Sequence, residues 1–212
     1  MKPVFIISRK LEFGRKITLQ DRLAKGGITR FTIVDAYEPS VENDKIIRDL
    51  TNKNWVFDSR LRNMEKNESR KACFLSHVLL LKALVDQGIN TCFIGEDDIY
   101  FKDDYSDLFK ASPQDSLVNY YDNTHVEIFD NKNFCQELGN DFIRIDHRFK
   151  AWCLGLYEIN DCKRLLTILL QQSPRVVDAL HVNHIQKHYV TYLFNGYRKI
   201  YQNRKLFESG IK

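Results

Sequence analysis

The chain opens on an apolar run, Val4-Phe5-Ile6-Ile7, that gives way to Ser8-Arg9-Lys10, the pattern of a short strand feeding a polar loop. Apolar spacing then predicts a helix over residues 17–25, stopped by Gly26-Gly27. Phe31-Thr32-Ile33-Val34 is a second β-rich run, closed by Asp35-Ala36. Strand, helix and strand in such quick succession are the opening of a parallel α/β sheet. Residues 38–67 are polar and weakly periodic. They predict a short helix at 45–50 and a loop around 55–62, of the kind that closes on a ligand. The strongest helix signal covers residues 69–87 and ends at Gly88. Leu75, Val78, Leu79, Leu81, Ala83, Leu84 and Val85 leave it little polar surface, so most of its circumference is expected to be buried. Thr91-Cys92-Phe93-Ile94-Gly95 follows, with the near-continuous apolarity of a central parallel strand covered on both faces.

The second half is less regular. Strands are predicted at 117–121, 126–129, 142–145 and 152–159, then a helix over 161–171 capped by Asn160. A further helix over 177–193 and a strand at 197–201 complete the pattern, with no internal repeat and no low-complexity tract. A length of 212 residues suits one well-cored domain, and 43% hydrophobic with 28% charged residues excludes a disordered chain. No apolar run approaches the ~20 residues of a membrane span. The first apolar stretch is too short for a signal-peptide core, which reads as a cytoplasmic protein. Cys73, Cys92, Cys135, Cys153 and Cys162 form no CxxC pair, against a disulfide framework or a zinc knuckle. Cys73, Cys92 and Cys153 lie in apolar segments and read as small buried hydrophobes. The net charge of +4 permits an anionic partner without demanding one.

The candidate chemistry sits just past the central strand, at Glu96-Asp97-Asp98. Open α/β sheets bind their ligands at the carboxyl ends of the strands. On an extended backbone Glu96 and Asp98 project to one side and Asp97 to the other. Two carboxylates on one side make a hard-oxygen site for Mg²⁺ or Mn²⁺. Three adjacent acids without a cation would repel each other. An acidic turn continued by Asp103 and Asp104 is the competing reading of the same residues.

The segment Glu68-Ser-Arg-Lys-Ala-Cys-Phe-Leu-Ser-His77, an apolar helix, and then Cys92-Phe-Ile-Gly-Glu-Asp-Asp-Ile99 together resemble glycosyltransferase family 25. That family includes bacterial lipooligosaccharide galactosyltransferases and collagen-modifying enzymes. The strands at Phe5-Ile6-Ile7-Ser8 and at 31–36 also look like its pattern, and the similarity is continuous from about residue 3 to residue 101 before it thins. The resemblance implies an α/β fold of the GT-A type, a Rossmann-like mixed sheet flanked by helices. It implies one glycosyltransferase domain over 1–212, with about 1–102 binding the nucleotide sugar and about 103–212 the acceptor. It also implies a nucleotide-sugar donor, a UDP-sugar first, with Mn²⁺ or Mg²⁺. By carry-over, Glu96 and Asp98 hold the metal with Asp97 beside them as a further catalytic candidate. Ser8, Arg9 and Asp35 lie near the donor's nucleoside end, and His77 either orients the acidic loop or packs beneath it.

The family inverts at the sugar carbon, so a base must deprotonate the acceptor hydroxyl. Asp178 is the first candidate, in a Pro174-Arg-Val-Val-Asp178 segment similar to an acid-bearing one of the family. Asp146 and His147 come next. Asp178 reads equally well as a helix N-terminal acid. His181, His184 and His188 stand at i, i+3 and i+7, one face of the predicted last helix, and His184 is the candidate to reach the metal or diphosphate. Plain half-exposed histidines are the alternative.

Two departures from the family pattern, the short stretch after Asp178 and the unusual residues 37–67, both touch acceptor binding. Two acceptors therefore compete. One is a lipooligosaccharide sugar. The other is a hydroxymethylated base in phage DNA, for which the local basic clusters and the aromatic and basic mixture of residues 189–207 speak slightly more strongly. A nucleotide-binding module without catalysis is a more distant alternative, and no oligomeric state follows from the sequence.

Overall fold

Strand β1 (Val4–Ser8) is the axis of the parallel part of the sheet, because it pairs with β2 (Thr32–Asp35) on one side and β3 (Cys92–Glu96) on the other. The computed structural model describes residues 2–10, 13–51, 68–110, 116–119, 135–138, 142–145, 156–171, 190–194 and 200–202. Among them, strands β1 to β3 belong to an 8-stranded mixed sheet. Its order runs β2-β1-β3 and continues through β8 (Leu156–Ile159), β5 (Ser116–Asn119), β9 (Val190–Phe194), β7 (Phe142–Ile145) and β6 (Cys135–Leu138). A separate pair joins β4 (Ile99–Phe101) to β10 (Ile200–Gln202). The mixed sheet flanked by helices is the architecture implied by the sequence. Its strand β3 is central, as predicted, but has a parallel neighbour only in β1, since β8 runs antiparallel to it.

The alternation of side chains along β1 sorts the core into two layers. Val4 and Ile6 join Leu19, Leu23, Ile28, Phe93, Ile99, Phe101, Tyr105, Phe109 and Leu156 on one face. That face is covered by helices α1 (Phe13–Ile17) and α2 (Leu19–Lys25) and the short α5 (Ser106–Lys110). Ile7 points the other way, into a larger cluster with Ile94, Tyr157 and Ile159. Helices α3 (Asn43–Thr51), α4 (Glu68–Asp86) and α6 (Cys162–Gln171) supply the rest of it. The connection leaving β1 passes over one face to β2, and the connection leaving β2 passes over the opposite face to β3. The carboxyl ends of β1 and β3 therefore lie at a topological switch point, the kind of place where such sheets bind ligands.

Two glycines terminate their helices by necessity. Gly27 (φ 83°) and Gly88 (φ 75°) take the left-handed conformation that a side chain disfavours. Around Gly27, the Ile28 N–H reaches the Leu23 carbonyl and the Gly27 N–H the Ala24 carbonyl, the double bond of a Schellman stop. Ile89 and Gly88 repeat it against Leu84 and Val85. Helix α4 matches its prediction to within a residue, and its buried set runs around the cylinder in the first two-thirds: Lys71, Ala72, Phe74, Leu75, Ser76, His77 and Val78 are all enclosed.

Three expectations change. The helix predicted over 17–25 begins at Leu19 as α2, separated by a turn at Thr18 from α1, which ends at Ile17. Asp161, not Asn160, caps α6: its Oδ1 accepts the Arg164 N–H at 2.9 Å, while Asn160 accepts from Lys2 beside the buried Glu158. The end of the helix predicted over 177–193 is strand β9, where Val190-Thr-Tyr-Leu-Phe194 has the β-branched and aromatic content of a strand. Elements β4, β6 and α5 had no clear signal; each is 5 residues or shorter. The predicted strand at 126–129 and the loop at 55–62 lie outside the described residues.

Helix α3 is tied to α4 by Lys71, whose 1% exposed side chain reaches Asp44 at 2.8 Å and Glu68 at 2.9 Å. Burial pulls this ammonium down, but its bonds to the two carboxylates outweigh the burial and hold it above the ordinary lysine value. Because the folded value is raised, its contribution to stability is complete below the unfolded lysine value of about 10.4 and is lost as pH rises through the folded one. Melting temperatures followed from about pH 9 to about pH 12 should fall more steeply in the native chain than in Lys71→Met.

Candidate active site

Strand β3 ends at Glu96, and Asp97-Asp98 form a turn before β4. The extended alternation on which Glu96 and Asp98 share a side therefore stops at Glu96, and each acid has its own surroundings. Glu96 pairs with Ile7 in the sheet, and its side chain remains 29% exposed at the strand end. The Asp97 N–H continues the ladder by donating to the Ile7 carbonyl at 3.1 Å. Its carboxylate turns inward. It accepts the Ser8 hydroxyl at 2.7 Å and the Arg15 guanidinium at 3.1 Å, with both ion-pair side chains under 10% exposed. Asp98 is buried as well, at 6% exposure.

Arg22 fixes the turn from beneath. Its Nη1 donates to the carbonyls of Asp97 at 2.8 Å and Ile99 at 3.0 Å, its Nη2 donates to the Arg15 carbonyl at 2.7 Å, and its guanidinium stacks on Tyr100 at 4.7 Å. Burial pulls Arg22 below its ordinary value while Tyr100, Asp97 and Asp98 push it back. A guanidinium starts so high that it stays charged. The planar fork suits this work: one side chain satisfies carbonyls on three residues that no regular element would pair.

On the other face, His77 stands on α4 beneath Glu96, with Nε2 at 3.5 Å from the carboxylate. Its Nδ1 is held by the Tyr157 hydroxyl at 2.8 Å, and the two rings stack. Burial pushes the Tyr157 phenol well above its ordinary value, so it remains protonated. His77 is thus buried beneath the acidic strand end and in reach of Glu96. Cys73, one helical turn earlier, is half-buried beside it rather than enclosed. Cys92 and Cys162 are enclosed and touch, sulfur to sulfur at 3.5 Å, and the bond to Cys162 together with burial pushes the Cys92 thiol up. Cys153 lies outside the described residues.

The remaining candidate residues stand where strand ends put them. Ser8 pairs with Asp35 across β1 and β2, and the Ala36 N–H donates to the Ser8 carbonyl. Asp35 is about half exposed, flanked by Lys10 at 3.8 Å and Lys16 at 3.7 Å. Arg9 reaches Glu38 at 3.2 Å. The structure therefore brings Ser8, Arg9, Asp35, His77, Glu96, Asp97 and Asp98 to one end of the parallel strands. Asp146, His147, Asp178, His181, His184 and His188 lie outside the described residues.

Sequence reasoning passed over Arg15, Arg22 and Tyr157. The two arginines stand seven residues apart, a spacing that would share one face of an unbroken helix, in a segment that also carries the buried Leu19 and Leu23. A pair of cations on a face that otherwise enters the core was the available signal. Tyr157 offered none, since a tyrosine in an apolar strand is most often simply packed.

These arginines change the electrostatic argument. Three bare acids would need a cation, but Arg15 and Arg22 place two guanidinium charges against three carboxylates and leave one net negative charge at the turn. Asp97 is satisfied internally. Glu96 and Asp98 carry the other two carboxylates, both oxygen donors of the kind Mg²⁺ and Mn²⁺ prefer. A diphosphate approaching the acidic turn itself meets like charge, which a divalent cation between them would offset. By donor type, these two carboxylates suit such an ion.

Comparison with known proteins adds the following. The family model for glycosyltransferase family 25 (LPS biosynthesis protein) matches residues 1–149. No sequence among the curated proteins matches the chain. Among solved structures, the apo crystal structure of mouse xyloside xylosyltransferase 1 is similar over 95% of this chain and 83% of that one, at 14% identity and a TM-score of 0.41. Among the described residues, no helix is long and apolar enough to cross a membrane.

Proposed function

The chain belongs to glycosyltransferase family 25, and on that premise we propose that it is a metal-dependent, inverting transferase that moves a sugar from a nucleotide-sugar donor to a hydroxyl of a saccharide acceptor. One observation carries the reading: Ser8, Asp35, Glu96 and Asp98 converge on the carboxyl ends of β1, β2 and β3, at the switch point of the sheet. The donor's nucleoside lies toward Asp35 and Arg9, and its diphosphate crosses the end of β1 toward the acidic turn. Glu96 and Asp98 hold Mn²⁺ or Mg²⁺, which when bound neutralises charge developing on the departing nucleotide. Ser8, Arg15 and Arg22 keep the turn in one conformation by occupying Asp97 and its backbone. Asp97 is then a structural acid. His77 and Tyr157 hold Glu96 from below. Residues 1–102 bind the donor and residues 103–212 the acceptor, with His184 a further ligand to the ion. Asp178, or Asp146 after it, removes the proton of the attacking hydroxyl.

The family's description as LPS biosynthesis proteins favours a saccharide acceptor. Residues 189–207, which carried the hydroxymethylated-DNA reading, are described only at β9 and β10. Nucleotide-sugar turnover by the full chain should rise at least about tenfold when Mn²⁺ is added after chelation. It should rise again with lipooligosaccharide acceptors and not with DNA containing hydroxymethylcytosine. Turnover indifferent to the metal would remove the ion from the reading. A response to the modified DNA alone would reverse the choice of acceptor.

A further inference from the structure

We propose that Cys73, His77 and Glu96 form a three-ligand site for a divalent cation of the zinc class, distinct in chemistry from the donor's ion and able to regulate it by claiming Glu96. The ligand atoms of these side chains all lie within 4.8 Å of one another. Cys73 and His77 are four residues apart on α4 and so share a face. Glu96 comes to the same place from the end of β3, with its Oε1 at 3.5 Å from the His77 Nε2. Donor atoms around tetrahedral zinc stand about 3.3–3.8 Å apart, given bonds of about 2.0–2.3 Å. Closing the triad needs movements on the order of 1 Å, within the rotamer freedom of Cys73 and Glu96, neither of which is enclosed.

A second observation points to the same ligand. A metal-binding histidine has its outer ring nitrogen held by a hydrogen bond, and the Tyr157 hydroxyl holds the His77 Nδ1 at 2.8 Å. With a metal on Nε2, the ring carries its proton on Nδ1 and donates to the Tyr157 oxygen. The Cys73 thiol gives up its proton to solvent, so one proton is released for each ion bound. Three protein ligands leave the fourth position open to water, the pattern of an accessible rather than a purely structural zinc site. The thiolate sets the selectivity, because sulfur favours zinc and cadmium over the magnesium and manganese that oxygen ligands take. The regulatory effect rests on Glu96 also serving the donor's ion; the site itself does not.

The deciding experiment titrates the full chain with Cd²⁺, without nucleotide sugar or Mn²⁺, and follows the thiolate-to-metal charge-transfer band in the near ultraviolet. A band saturating at one ion per chain is expected. It should be abolished in Cys73→Ser, need at least about tenfold more Cd²⁺ in His77→Gln, and persist in Asp98→Asn. Should His77→Gln fold poorly, protection of Cys73 from alkylation by Cd²⁺ in the native chain gives the same answer. No band, or a band undiminished in Cys73→Ser, would overturn the site. Loss of the band alongside a manganese response of turnover that still depends on Asp98 sinks the triad alone. The band present in a chain whose turnover ignores manganese sinks the donor-ion reading alone.

Discussion

Asp98→Asn should lower sugar transfer by at least about a hundredfold, close to 2.7 kcal/mol of transition-state stabilisation. The substitution keeps the size of the side chain and removes the charge that holds a divalent ion. The loss falls on the step in which the nucleotide departs, so kcat and kcat/KM should drop together. Glu96→Gln should behave similarly. Neither change should unfold the chain, because the turn is held by Arg22 through backbone carbonyls and by Asp97 through Ser8 and Arg15. Steady-state kinetics at saturating Mn²⁺, paired with a thermal melt of each variant, separate the two effects. Full activity in Asp98→Asn would remove the acid from the site.

The largest effect on stability is expected from Arg15→Ala. Asp97 is buried at 4% exposure, and Arg15 is the cation that reaches its carboxylate directly. Removing one partner of a buried pair leaves an uncompensated charge and costs about 3–5 kcal/mol. That is a large fraction of the roughly 5–15 kcal/mol by which a domain is stable. Denaturant unfolding measures it. The double substitution Arg15→Ala with Asp97→Asn should recover much of the loss, because the charge that made it costly is gone. A loss below about 1 kcal/mol in Arg15→Ala would mean that the pair is effectively solvated.

The places where sequence was sufficient, and where it was not, have physical reasons. Strand β1, helix α4 and strand β3 were legible because each is an apolar run bounded by Gly, Ser or acid, and the period of an apolar run reports burial directly. The position of the acidic triplet followed from β3, since whatever comes after a buried parallel strand stands at the ligand-binding edge. Its internal geometry did not follow. Alternation holds only while the backbone is extended, and the turn at Asp97-Asp98 depends on Arg22 binding carbonyls 75 and 77 residues away. Such a contact is a tertiary event with no local periodicity. Nor could pattern show that Asp97 is answered by Arg15, across 82 residues. The same limit applies to the end of the helix predicted over 177–193. Helical spacing and strand composition compete there, and pairing of β9 with β5 and β7 decides the outcome at Val190–Phe194. Asn160 and Asp161 are both good caps by type, and the choice between them rests on Lys2, far away in sequence, drawing Asn160 off.

The central claim is that the carboxylates closing β3 present a divalent ion to the donor diphosphate. Electron paramagnetic resonance of Mn²⁺ tests it without reliance on the acceptor. Free Mn²⁺ gives a strong signal that binding suppresses. Adding the native chain with a nucleoside diphosphate should suppress it well beyond the nucleotide alone, and Asp98→Asn with the same nucleotide should not. Equal suppression by the native chain and Asp98→Asn would contradict the account.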